Sequence, residues 1–275
     1  MNRLLRIEWN KFFYNKGTRI FLILYFILIG LMGAVLPNIK PQMNGIQVNF
    51  IEMGALNFPV IWHNITWLIG FGKLFLAVIV INNISNEYSF GTFKQNTIDG
   101  LSRLEFFSSK LYMNVLFVFA STLLVFGIVF GLGATFAEVF EPFSGIEFLL
   151  GYFVEILAFV ALAMFLAFLF KKSTFAILII FVLYIVELIL KGIEAFFFFK
   201  PSIDGEEKYT FITSYLPLAA NGNIIDYPPV SLTQYLTSGK LFTSSAVHWE
   251  YLSINIFYIL AFFGLSYILI KKRDL

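Results

Sequence analysis

Six stretches of the chain stay apolar for long enough to cross about 30 Å of hydrocarbon as helices. They are residues 20–36, 60–81, 111–136, 146–170, 174–195 and 252–270. Helices are the economical form for such runs, because in lipid each backbone N–H and C=O must find its partner within the segment. The pattern predicts an all-α polytopic membrane protein with six transmembrane helices, one domain over 1–275. The first run has a long polar-to-amphipathic lead and no small-residue cleavage pattern behind it. It therefore reads as a retained helix rather than a signal peptide. Three connections on one side, 37–59, 137–145 and 196–251, alternate with those on the other. The longest contains Pro201, Pro217, Pro228 and Pro229 with apolar stretches between them. Loops of that length usually carry function or fold into short elements, so short or re-entrant helices are expected over 196–251. No internal repeat, linker or second domain is evident.

Composition agrees with the pattern. The chain is 59% hydrophobic and 13% charged, with mean hydropathy +0.82, too little polar surface for a soluble domain. A net charge of +2 gives no case for nucleic-acid binding. The distribution of Lys and Arg says more. Arg3, Arg6, Lys11, Lys16 and Arg19 precede the first span, and Lys94, Arg103 and Lys110 follow the second. Lys171 and Lys172 follow the fourth, and Lys271, Lys272 and Arg273 the sixth; the opposite side holds Lys40, Lys200, Lys208 and Lys240. This asymmetry predicts that both termini are cytoplasmic, in a multi-pass plasma-membrane protein. The absence of cysteine excludes disulfides and thiolate chemistry.

Two segments on the basic side have structure written into them. Residues 1–19 fit an amphipathic helix lying in the headgroup plane, with Leu5, Trp9, Phe12 and Phe13 on one face and Arg3, Arg6 and Asn10 on the other. Lys16-Gly17 is the expected stop. A basic flank that only fixes orientation is the plainer alternative. In 82–110, Asp99-Gly100 marks a turn. Ser102 and Glu105 have the spacing of a capping box, and Leu101 and Phe106 that of the hydrophobic staple around it. A helix is thus expected to start at Ser102 and continue through Lys110 into the third span. Residues 89–98 are expected to form a separate short helix or turn, interrupted near Gly91.

The residues Glu87, Gly91-Thr92, Ser102-Arg103 and Lys110 resemble the E-x-x-x-G-T … S-R … K pattern after the second span of type-2 ABC exporter permeases. The N-terminal helix, six-span layout, long last outer loop and basic tail are also similar to that family. In the pattern's middle, 95–100 stands where the family often has Leu-Leu and Pro. The resemblance implies a permease subunit of an ATP-driven exporter, forming the path as a dimer with a second permease subunit. It implies a separate ABC ATPase subunit docked on 82–110, with Glu87, Gly91, Thr92, Arg103 and Lys110 as coupling residues. Independently, the chain contains no G-x-x-x-x-G-K-[ST] segment. ATP and Mg²⁺ would then be bound by the partner, leaving this chain a transport subunit with no catalytic residue or cofactor of its own.

Ionisable residues within spans are functional suspects, since each costs about 2.5–3.5 kcal/mol at a helix centre on insertion scales. Glu187 and Lys191 share a helix face and are candidates for a path-lining or structural ion pair; Lys73 and Glu155 are candidates for a pair between helices. His63 and His248, on the outer side beside Trp62 and Trp249, make a poor metal site, and no metal is expected. Trp62, Trp67 and Trp249 read as headgroup-level anchors. Gly127-x-x-x-Gly131 and Ala163-x-x-x-Ala167 permit close helix approach within or between subunits. An ion-coupled carrier or channel is the alternative function, although neither inverted repeats nor paired broken helices are evident. An intramembrane hydrolase is disfavoured, because Glu206, Glu207 and the histidines fall in outer loops and no G-x-S-x-G occurs.

Overall fold

The computed structural model describes residues 2–38, 42–43, 46–47, 49–98, 100–198 and 211–272. The apolar runs become helices, and the described residues are all-α apart from a two-residue antiparallel pair, β1 (Gln42–Met43) and β2 (Ile46–Gln47). Among the described residues, five single helices are long and apolar enough to cross a membrane: α2 (Lys16–Val35), α6 (Arg103–Phe136), α7 (Glu147–Phe170), α8 (Ser173–Phe198) and α11 (Trp249–Lys272). The stretch expected as the second span is made of two pieces, α3 (Val60–Gly70) and α4 (Lys73–Ser89), bent by 42°, and taken as one span they bring the candidates to six. The bend replaces the straight helix expected over 60–81. At its centre a side chain on Gly72 would meet the Ile69 carbonyl at 3.0 Å and the Tyr25 ring at 3.1 Å. Only glycine lets α2 close on the break.

α7 is the central post. It packs against α3, α4, α6, α8 and α11 and buries most of its length, whereas α8 buries little. Ala163 and Ala167 are fully buried in α7, so this small-residue pair serves packing inside the subunit. Gly127 and Gly131 behave differently: they lie on the exposed face of α6, and a side chain at either would meet nothing within 4 Å. A buried polar chain, Tyr25–Ser121–Tyr152, with both links at 2.7 Å, ties α2, α6 and α7. Each hydroxyl satisfies another that lipid would leave unpaired.

At the basic end, α1 (Asn2–Tyr14) crosses α6 and meets α2. The stop falls one residue earlier than Lys16-Gly17: the Asn15 side chain accepts from the Thr18 amide and caps α2. Gly17 sits inside α2. Between α4 and α6 lies α5 (Thr92–Ile98). At the other end, η1 (Leu36–Asn38), η2 (Ile212–Tyr215), α9 (Pro217–Gly222) and α10 (Leu232–Ser238) supply the short elements expected of long loops. Residues 199–210, including Glu206 and Glu207, lie outside the described residues.

Candidate functional site

The chain leaves α4 through Gly91, whose φ of +69° is a conformation that side-chain-bearing residues rarely adopt. Thr92 then starts α5 and turns its hydroxyl back onto the Glu87 side chain, Oγ1 to Oε2 2.5 Å. Gly100, at φ +94°, closes the next turn. Ser102 caps α6 with both halves of a capping box: its Oγ accepts from the Glu105 amide at 3.2 Å, and its own amide donates to Glu105 Oε2 at 2.9 Å. α6 then runs unbroken for 34 residues. The loop is a folded piece, with Phe93 and Phe106 buried beneath it, their ring centroids 4.6 Å apart.

Three of the expected coupling residues converge, and they do so in the interior. Lys110 is fully buried and donates to Glu8 Oε2 (2.6 Å), Glu87 Oε1 (2.8 Å) and Asn83 Oδ1 (3.3 Å). Lys11 donates to Glu87 Oε1 at 2.7 Å and Glu8 Oε1 at 3.4 Å. Two carboxylates and two ammonium groups thus tie α1, α4 and α6 together, with α5 joined through Thr92. Burial alone would depress the Lys11 pKa; the Glu8 and Glu87 carboxylates outweigh it and raise the value above the ordinary one. Beside the cluster a cavity of about 180 Å³ is lined by Lys11, Asn15, Asn83 and Asn86, and the Asn83 Nδ2 has no protein partner.

Glu8 and Lys11 were not singled out from the sequence. The signal was present: Glu8 is the one acid in α1 and stands on the side of the helix that carries Phe12. Phe12 is buried and meets Phe117 edge-on at 4.8 Å, whereas Trp9 is 44% exposed. The expected single apolar face is therefore split, and the inward side is centred on Glu8 and Phe12. The side chains of Leu5 and Phe13 lie outside the described residues.

Arg103 stands apart from the cluster. Its guanidinium donates to the Lys271 carbonyl at 2.7 Å, satisfying the C-terminal end of α11 and favoured by that helix's dipole. The exposed surface of the segment is made of other residues: Phe90 (74% exposed), Ile98 (83%) and Leu104 (55%) stand out from it, with Lys94 and Gln95 between them.

The remaining candidates sort by position. Glu187 does not pair with Lys191: its carboxylate accepts from the Leu218 and Ala219 amides at 3.1 and 2.7 Å, at the start of α9. An acid on two unsatisfied N-terminal amides is a better partner than an ammonium with free access to the interface. Lys191 is exposed. Lys73 and Glu155 do pair, at 2.6 Å. Trp62 is no headgroup anchor: it is fully buried, and its indole N–H donates to the Pro142 carbonyl at 2.9 Å. Trp249 is 55% exposed. His63 belongs to α3 rather than to a loop; it stacks on Phe148 and bonds the Asp226 carbonyl at 2.9 Å. His248 meets the Asp226 carboxylate at 2.6 Å. No cluster of three metal-ligating side chains exists among the described residues.

The broken span, the capped α6 and the buried cluster are features of a membrane subunit built to hold a folded segment between its second and third spans. The family described as ABC-2 family transporter protein matches residues 64–270, three-quarters of the chain. The chain belongs to the ABC-2 transporter family. It is a multi-pass integral membrane protein, a permease component of an ABC transporter. The ABC-2 match takes in Glu87, Thr92, Arg103 and Lys110 and begins after α1, so Glu8 and Lys11 lie outside it. A comparison with curated proteins gives no match.

Proposed function

We propose that this ABC-2 permease is the transmembrane subunit of an ATP-driven exporter in the plasma membrane, with both termini cytoplasmic. Two permease subunits form the path, and a separate ATPase subunit, which binds ATP and Mg²⁺, docks on the α5 segment. The observation that carries this reading is the pairing of an exposed apolar surface with a buried brace. Phe90, Ile98 and Leu104 are each more than half exposed along the α4–α6 connection, outside the long apolar runs, where exposed large apolar side chains suit a partner contact. Beneath them Glu87 and Lys110 join α5 to α1, α4 and α6. A displacement of α5 by a partner is therefore passed to three helices at once rather than absorbed by a slack loop.

In this mechanism Glu87, Thr92 and Lys110 act by position, since they are too buried or too engaged to touch a partner. Arg103 adds the end of α11 to the moving body. ATP-driven closure of two ATPase subunits shifts the equilibrium between inward- and outward-open arrangements, by as much as docking favours one over the other. The test is co-purification and ATP turnover with Ile98→Asp and Leu104→Asp. Both variants should lose most of the bound ATPase and of the transport-coupled turnover while keeping native stability. Unchanged retention and turnover would remove the docking assignment, and transport without any ATPase would favour the ion-coupled carrier.

A further inference from the structure

A cavity of about 500 Å³ lies inside the single subunit, between the α3–α4 break, α7, α8 and α9. Its walls are Trp67, Phe71, Phe181, Tyr184, Ile185 and Leu218, and its one charged feature is the Lys73–Glu155 pair. Phe71, Phe181 and Ile185 are each more than half exposed, so the mouth opens on the flank of the helices, where lipid would lie. Volumes of this size accept a drug-sized molecule, and apolar walls with few polar groups are the usual form of such sites.

The polar floor limits what the molecule can be. Lys73 Nζ donates to Glu155 Oε1 at 2.6 Å and Asn221 Oδ1 at 2.8 Å. Asn221 is itself held by the Glu155 carbonyl at 2.7 Å and by Asn255 at 3.3 Å. The two charges cancel across a short contact, so a charged head would leave one unit uncompensated in a poorly solvated place. An ammonium has three donors, and Lys73 uses two; among the described residues nothing donates to Glu155 Oε2. The third N–H has only the Phe159 ring, 5.6 Å from Nζ, as a weak partner, so the pair can offer one donor and one acceptor to a head group that has need of either. Close approach is built in, because Gly70 would place any side chain 3.3 Å from the Glu155 carboxylate.

We infer that this cavity binds an uncharged amphiphile from the bilayer, an apolar body with one hydroxyl or amide-type head set against the Lys73–Glu155 pair. Binding requires neither the ATPase nor a second subunit, so its test is separate from that of the exporter reading.

The probe is N-phenyl-1-naphthylamine, uncharged with a single N–H. Its counterpart is 8-anilino-1-naphthalenesulfonate, the same frame bearing one negative charge. Each is titrated into the purified protein in lipid nanodiscs without nucleotide, and the saturable fluorescence is read above the linear partition into lipid. The uncharged probe should saturate and bind at least tenfold more tightly than the sulfonate. Gly222 borders the cavity, and a Cβ added there would meet nothing within 4 Å, so Gly222→Phe adds a ring at the cavity's edge and should weaken the uncharged probe at least tenfold. Glu155→Gln leaves Lys73 unneutralised and should reverse the preference toward the sulfonate. Should Glu155→Gln fail to fold, the Gly222→Phe result decides alone. Purely linear partition, or saturable binding that Gly222→Phe leaves unchanged, overturns the inference, as does a folded Glu155→Gln with the native preference.

Discussion

Lys110 is the buried cation at the centre of the cluster that ties α1, α4 and α6. It is fully buried and its three hydrogen bonds reach α1 and α4 from α6. A buried ion cluster is weak evidence of net stability, since desolvation consumes much of the attraction; breaking one is a different matter. Lys110→Met leaves Glu8 and Glu87 with only Lys11 between them, and the loss should be about 3–5 kcal/mol. Thermal unfolding in nanodiscs should show a large drop in midpoint, partly recovered when Glu87→Gln is added. An additive double variant would mean that the two residues are not coupled. The members of this cluster were unequally visible in the sequence. Glu87, Thr92 and Lys110 stand in a spaced pattern within one loop. Glu8 and Lys11 join them from more than 70 residues away, and a contact of that separation leaves no local period to read. The same limit hid the true partner of Glu187: a helical spacing of four pointed to Lys191, while the two α9 amides come from residues 218 and 219.

Among the elements, α6 was the most legible and the second span the least. Capping chemistry is local, so Ser102 and Glu105 announced the start of α6 from four consecutive residues, and the box is formed as expected. Ser102→Ala should cost about 1 kcal/mol, the usual worth of an N-cap. Hydrogen exchange should rise over the first turn of α6 and stay unchanged in α7; equal protection in both proteins would show the cap to be idle. The break at Phe71–Gly72 was not legible, because hydropathy is continuous across it and a glycine in a span is ordinary. What makes it a break is tertiary: Tyr25 from α2 approaches Gly72, and Glu155 from α7 approaches Gly70. Trp62 was misplaced for a related reason. Tryptophan near a span end suggests an anchor, but the indole is enclosed by neighbouring helices and finds Pro142 from a distant loop.

For the whole molecule, two statements follow from charge and shape. The positive-inside bias predicts the α5 end in the cytoplasm and α10 outside. The chain has no native cysteine, so single-cysteine variants report sidedness without background. In intact cells a membrane-impermeant maleimide should label Tyr235→Cys and spare Ile98→Cys until the membrane is opened; the reverse pattern would invert the topology. The fold class and span count were legible because lipid imposes them on every residue of a span. The proposed docking surface was named only as a segment, since which side chains face outward depends on how α5 packs. The central claim is that this outward face receives an ATPase. Its most direct measurement is crosslinking in native membranes, with a short thiol-to-amine reagent on Ile98→Cys, 83% exposed at the tip of the segment. The account predicts a crosslinked species containing an ATP-binding subunit, reduced by Leu104→Asp in the same chain and not formed from Tyr235→Cys. An Ile98→Cys protein that forms no such species while transport remains ATP-dependent would contradict it.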